Sequence, residues 1–140
     1  MTSLNSMHIV EQFARFAVTY RAQPLSPDVL HHARRAVIDW TAALLPGAVL
    51  APATLLERAL ADEFAAAADG MTARLALGRP APARLAALIN GSAAHTVEVD
   101  DIYRDGIYHP GAPTIAAALA VAQARGLGGE ALLRAVVVGY

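Results

Sequence analysis

The chain has 140 residues, with 11 basic against 12 acidic side chains, and is 56% hydrophobic but only 16% charged. That balance excludes an intrinsically disordered chain, and the lack of basic runs excludes nucleic acid as the main partner. The absence of cysteine excludes disulfides, thiolate metal sites and cysteine nucleophiles, and fits a reducing cytoplasm.

Large apolar side chains at Ile9, Phe13, Phe16 and Tyr20 recur at helical spacing and predict a first helix over 5–20. Ser26-Pro27-Asp28 reads as a helix start: a hydroxyl cap, proline at the first helical position and an acid in the first turn. The stripe Leu30, Ala33, Val37, Trp40 and Leu44 continues it to a stop at Pro46-Gly47. A third helix is expected from about Pro52 to Ala68, closed by Asp69-Gly70. Alternation over 72–77 suggests one short strand, and Pro80 and Pro82 mark a turn. A fourth helix follows from Pro82 to about Val97, with Gly91 inside it. Glycine there costs about 1 kcal/mol relative to alanine, so close packing or function is expected.

Residues 99–112 form a loop of different character, with two tyrosines, three aspartates, Arg104 and His109 among Gly and Pro. Pro113-Thr114 opens a fifth helix to about Arg125, apolar on every face, and a sixth begins at Glu130. An all-round apolar helix belongs in the centre of a larger protein. The chain also ends within an apolar run, Val136-Val137-Val138-Gly139-Tyr140, as expected of a truncated chain. The expected fold is mainly α: an alanine-rich helical bundle, with 33 alanines among the 140 residues.

The longest apolar stretch, Ala112 to Ala124, is interrupted by Pro113, Thr114 and Gln123. It falls short of the roughly 18–20 residues of a membrane span, so no membrane partner is expected. Residues 1–8 lack the basic and apolar regions of a signal peptide.

Chemistry concentrates in His95, Glu98, Asp100, Asp101 and His109. At about 100° per residue, a persisting helix sets Glu98 and Asp101 about 60° apart, facing one pocket, and turns Asp100 nearly the other way. Clustered carboxylates can hold a proton near neutrality. His109 stands just ahead of a helix N-terminus, which attracts anions and favours a neutral imidazole suited to proton transfer. Each residue also has a plainer reading as a packed, capping or solvated group, as do Tyr103 and Tyr108. His31 and His32 lie beside Arg34 and Arg35, on what reads as a polar face. His95, Glu98, Asp101 and His109 are ligand-type residues, but no His-Glu-x-x-His pattern occurs, so no metal is assigned.

The run Asn90-Gly91-Ser92-Ala93-Ala94-His95-Thr96-Val97-Glu98-Val99-Asp100-Asp101, followed by His109-Pro110-Gly111, closely resembles the MmgE/PrpD family. That family includes 2-methylcitrate dehydratase, cis-aconitate decarboxylase and iminodisuccinate epimerase. Gly139-Tyr140 resembles the start of its Gly-Tyr-Glu motif, and Asp39-Trp40-Thr41-Ala42-Ala43 fits its N-terminal part. The resemblance covers essentially the whole chain. It implies the N-terminal part of a helical domain, over 1–140, with a smaller α/β domain belonging to a later stretch. It also implies a cofactor-independent, cytoplasmic, homodimeric lyase or epimerase acting on a small di- or tricarboxylate.

Carried over by motif, the acid/base candidates are His109, Glu98 and Asp101. His95, Asp100, Ile102 and Arg104 are the substrate-contact candidates. Many members have Asp in place of Glu98, and a hydroxyl residue is common in place of Ile102; both departures point away from 2-methylcitrate itself. The chain has no lysine, whereas the family resemblance implies pocket lysines from later segments. The fragment is therefore expected to be inactive alone. Two other readings are a non-catalytic helical module, dimerising through the Tyr103–Tyr108 loop, and a metal-dependent hydrolase.

Overall fold

The computed structural model describes residues 7–65 and 72–140. Among them are seven helices and one two-stranded sheet: α1 (Ile9–Tyr20), α2 (Pro27–Gly47), α3 (Ala53–Ala59), α4 (Ala61–Ala65), β1 (Thr72–Arg74), β2 (Pro80–Pro82), α5 (Ala83–His95), α6 (Gly111–Ala124) and α7 (Gly129–Gly139). The mainly α expectation holds. No described helix is long and apolar enough to cross a membrane.

Ser26 caps α2 as its sequence suggests, its hydroxyl accepting the Val29 N–H at 3.3 Å. Trp40 and Leu44 on the expected stripe are buried, together with Ala33 and Ala43. The same helix approaches α5 so closely at Gly47 that a Cβ there would collide with the Ala93 carbonyl. Helices α5 and α6 then pack through small residues. A Cβ on Gly91 would stand 3.1 Å from the Ala112 carbonyl oxygen, which explains glycine in mid-helix. Ile89, Ile115 and Val136 fill the space where α5, α6 and α7 meet, and are almost fully buried.

Three expectations change. The single helix over 52–68 is instead two short ones, because α3 stops at Leu60 (φ −104°, ψ 17°). Leu56, Leu60 and Phe64, spaced four residues apart, all pack against the core on either side of that break. The stretch 66–70, with its Asp69-Gly70 stop, lies outside the described residues, as do residues 5–6 of the first helix. Pro80 and Pro82 do not make the turn. They lie in β2, which pairs antiparallel with β1 through Ala73↔Ala81; a proline is tolerated there because this is an edge strand. The turn itself is Leu75–Arg79, with Gly78 at φ 89°.

The third change concerns α1. Its expected apolar stripe forms on the helix, but no α1 residue is buried and Phe13 is 67% exposed. Helix α6, apolar all round by sequence, buries Ile115, Ala116 and Ala120 yet leaves Val121 exposed.

A side chain outside the loop holds the sheet in place. Buried Asn90 on α5 accepts the Ala76 N–H at 3.0 Å and donates to the Arg74 carbonyl at 2.9 Å. From α6, the Gln123 side chain accepts the Arg74 N–H at 2.9 Å.

Candidate active site

The loop between α5 and α6 carries the candidate residues, and its path follows from where α5 ends. The helix stops at His95, and Glu98 takes a left-handed φ of 54°. That conformation is uncommon for a non-glycine residue and turns the chain back on itself. The helical extrapolation past His95 therefore fails, and its angular consequences fail with it. Glu98 points outward with its side chain 73% exposed. Asp100, which the extrapolation turns away, is the residue that points in, with a side chain 1% exposed.

Asp100 sits between the two histidines. His95 Nδ1 lies 3.2 and 3.1 Å from its two carboxylate oxygens. His109 Nδ1 lies 3.4 Å from Oδ2; this nitrogen is buried and makes no hydrogen bond, the contact being one of charge and proximity only. The two imidazole centroids are 4.5 Å apart and tilted by 58°. His95 also reaches toward Glu98, Nε2 to Oε1 at 3.7 Å. Helix α5 thus supplies one ring from its last residue, the segment before α6 supplies the other, and the intervening loop supplies the carboxylate.

Asp101 is not paired with Glu98. Its Oδ1 accepts the Gly111 N–H at 3.1 Å, which caps the first turn of α6 with a carboxylate. The Tyr140 hydroxyl, just past the end of α7, approaches the same point, 2.8 Å from where a Cβ on Gly111 would stand. Burial, reinforced by the Asp101 charge, pushes the Tyr140 phenol well above its ordinary value of 10.0. Glycine at 111 leaves room for this contact, since a Cβ there would stand 2.5 Å from Asp101 Oδ1 and displace that side chain. The α6 N-terminus that sequence offers to a bound anion is therefore already engaged by an internal one.

An open cleft of about 740 Å³ runs beside the cluster, lined by Leu88, Ser92, His95, Thr96, Glu98 and Pro113 among others. Its lining contains no arginine. Ile102 and Arg104 are both exposed and neither lines the cleft. They belong to a small projecting hairpin closed by Tyr103 and Tyr108, whose backbones exchange hydrogen bonds at 2.7 and 3.2 Å. His31 and His32 are exposed on α2, away from the cluster.

A metal-type donor set exists, but not the one suggested by residue type. His95, Asp100 and His109 bring ligand atoms within 4.8 Å of one another, while Glu98 and Asp101 stand outside that group. Sequence reasoning also passed over Asn90 and Tyr140 as working residues. The Asn-Gly and Gly-Tyr pairs were the only signals for them.

The model of the MmgE/PrpD N-terminal domain matches residues 11–140. The chain belongs to the MmgE/PrpD family. No match to it was found among curated proteins or among solved structures. Within this MmgE/PrpD N-terminal region, the Ala-His, Asp-Asp and His-Pro elements bring His95, Asp100 and His109 together, and of these His95 lines the cleft. Ala94-His95 ends α5, Asp100-Asp101 crosses to α6, and His109-Pro110 precedes it.

Proposed function

We propose that the chain carries the proton-transfer half of an active site for a small di- or tricarboxylate, working next to a carboxylate by dehydration, decarboxylation or epimerisation. The observation that supports this best is the convergence of His95, buried Asp100 and His109 beside an open cleft. A neutral imidazole in such a site takes a proton from carbon or gives one to a departing hydroxyl. His109 is the main acid/base group in this reading. Glu98, at the cleft rim, is the second proton-transfer candidate, and Asp101 acts by fixing the α6 N-terminus rather than by donating. The reading needs no organic cofactor and is one of lyase- or epimerase-type chemistry.

A tricarboxylate needs cationic partners, and the cleft lining supplies none. The site is therefore completed by groups that this chain does not carry, and the 140 residues alone are inactive. A turnover assay of the 140-residue chain on citrate and related carboxylates tests this. No turnover is expected, and robust turnover contradicts it.

A second reading has its own observation. Tyr103, Ile107 and Tyr108 project on the hairpin, Ile107 being 83% exposed, and aromatic residues are enriched in interfaces. In this reading the hairpin meets a second copy of the chain. Tyr103→Ser with Ile107→Asp should then convert a dimer to a monomer in size-exclusion chromatography with light scattering. An unchanged mass removes the hairpin from the interface.

A further inference from the structure

The buried Asp100 carboxylate needs hydrogen-bond donors, and its neighbours can supply them from Nδ1. Its side chain is 1% exposed, and an ionised carboxylate buried without donors is strongly unfavourable. Among the described residues, the polar side-chain atoms recorded against it are the Nδ1 atoms of His95 and His109. A neutral imidazole has one N–H and one bare nitrogen. If the rings carried their protons on Nε2, both Nδ1 lone pairs would face the carboxylate and repel it.

We propose that Asp100 keeps the proton of both His95 and His109 on Nδ1, so that Nε2 of each ring, bare when the ring is neutral, is the atom that takes or gives a proton, and His95 is a second proton-transfer group beside His109. This rests on the acid/base reading of the cleft given above. Asp100 is a positioning residue in it, acting through the two rings. The forked contact of His95 Nδ1 with both oxygens, at 3.2 and 3.1 Å, is the geometry of an N–H shared by a carboxylate. His109 Nδ1 is buried with no hydrogen-bond partner and faces the same carboxylate at 3.4 Å, so a proton on that nitrogen has Asp100 as its nearest acceptor and the bond forms on a small movement of the ring.

Two bases on one carboxylate suit an elimination. One bare Nε2 takes the proton from the carbon next to a carboxylate. That C–H electron pair becomes the new C=C bond. The partner ring, entering the step as imidazolium, gives its Nε2 proton to the hydroxyl, which leaves as water with the C–O electron pair. One ring has then gained the proton of the carbon and the other has lost its own to the water, and the total charge of the two rings with Asp100 is unchanged. The titratable groups facing the pair are Asp100 and, at 3.7 Å from His95 Nε2, Glu98.

The test is nitrogen-15 NMR of the 140-residue chain, labelled in its histidine rings and held at alkaline pH so that the imidazoles are neutral. His95→Gln and His109→Gln assign the signals. Both rings are expected to show a protonated Nδ1 and a bare Nε2. Exposed His31 and His32 should instead favour the Nε2–H form usual in water. Asp100→Asn should return His95 and His109 toward that pattern, and the unsubstituted chain decides the question even if this variant does not fold. A proton on Nε2 of either ring overturns the proposal. So do two bare Nδ1 atoms that hold a metal removable by a chelator.

Citrate titration, carried out in a form of the protein that converts a carboxylate substrate, then separates the roles. Both Nε2 signals should move together. Movement of His109 alone removes His95 as a second group. Movement of neither counts against the carboxylate reading, and His95's role falls with it while the Nδ1–H assignment stands.

Discussion

The Asp101 carboxylate accepts the backbone N–H of Gly111 at 3.1 Å, pinning the loop that leaves α5 to the first turn of α6. The next residue back, Asp100, is thereby delivered between two imidazoles. A charge-assisted hydrogen bond of this kind contributes about 1.5–3 kcal/mol. Asp101→Ala is expected to destabilise the chain by that amount in urea unfolding. Gly111→Ala should have a similar effect, because its Cβ would stand 2.5 Å from Asp101 Oδ1.

Asn90→Ala removes the partner of the Ala76 N–H and of the Arg74 carbonyl at once. Each backbone group left unsatisfied costs about 1–3 kcal/mol. The loss should appear in the unfolding midpoint, and amide exchange at Ala76 should accelerate more than at the Ile115 amide on α6.

Gly47→Ala drives a methyl into the Ala93 carbonyl. Backbone cannot yield as a flexible side chain can, so the change must separate α2 from α5. A destabilisation of at least about 2 kcal/mol is expected, beyond the range of ordinary surface substitutions, and thermal unfolding reads it directly.

Tyr140 gives a pH signature. Its phenol is raised above 10.0, first by burial and then by Asp101. Its folded value exceeds its unfolded one, so the stabilising contribution is complete below pH 10 and is lost as pH rises beyond that. Tyr140→Phe should flatten the fall in stability above pH 10 while leaving the slope near neutrality unchanged. Urea midpoints of both chains across that range check it.

The sequence made the helices legible because their signals are local. Ser26-Pro27-Asp28 caps a helix through its own chemistry, and the stripe to Leu44 buries as its period requires. The strand at 72 was legible from alternation, but its partner was not, since Pro80 and Pro82 carry the composition of a turn. The residue set of the candidate site was legible too, through the His95, Asp100-Asp101 and His109 motif. Its geometry was not. Extrapolating the helix past His95 turned Asp100 outward, whereas the left-handed backbone at Glu98 turns it in. Nothing in a glutamate announces that conformation. The exposure of Phe13 and Val121 was equally hidden, because periodicity reports which face is apolar and not what covers it.

The central claim is that His109 moves a proton in the reaction. The most direct measurement is turnover with His109→Ala against the unsubstituted form, in a protein that converts a carboxylate substrate. The account predicts a fall in kcat of at least about 100-fold, the low end for general acid–base catalysis, with the fold retained by circular dichroism. An unchanged kcat would contradict it.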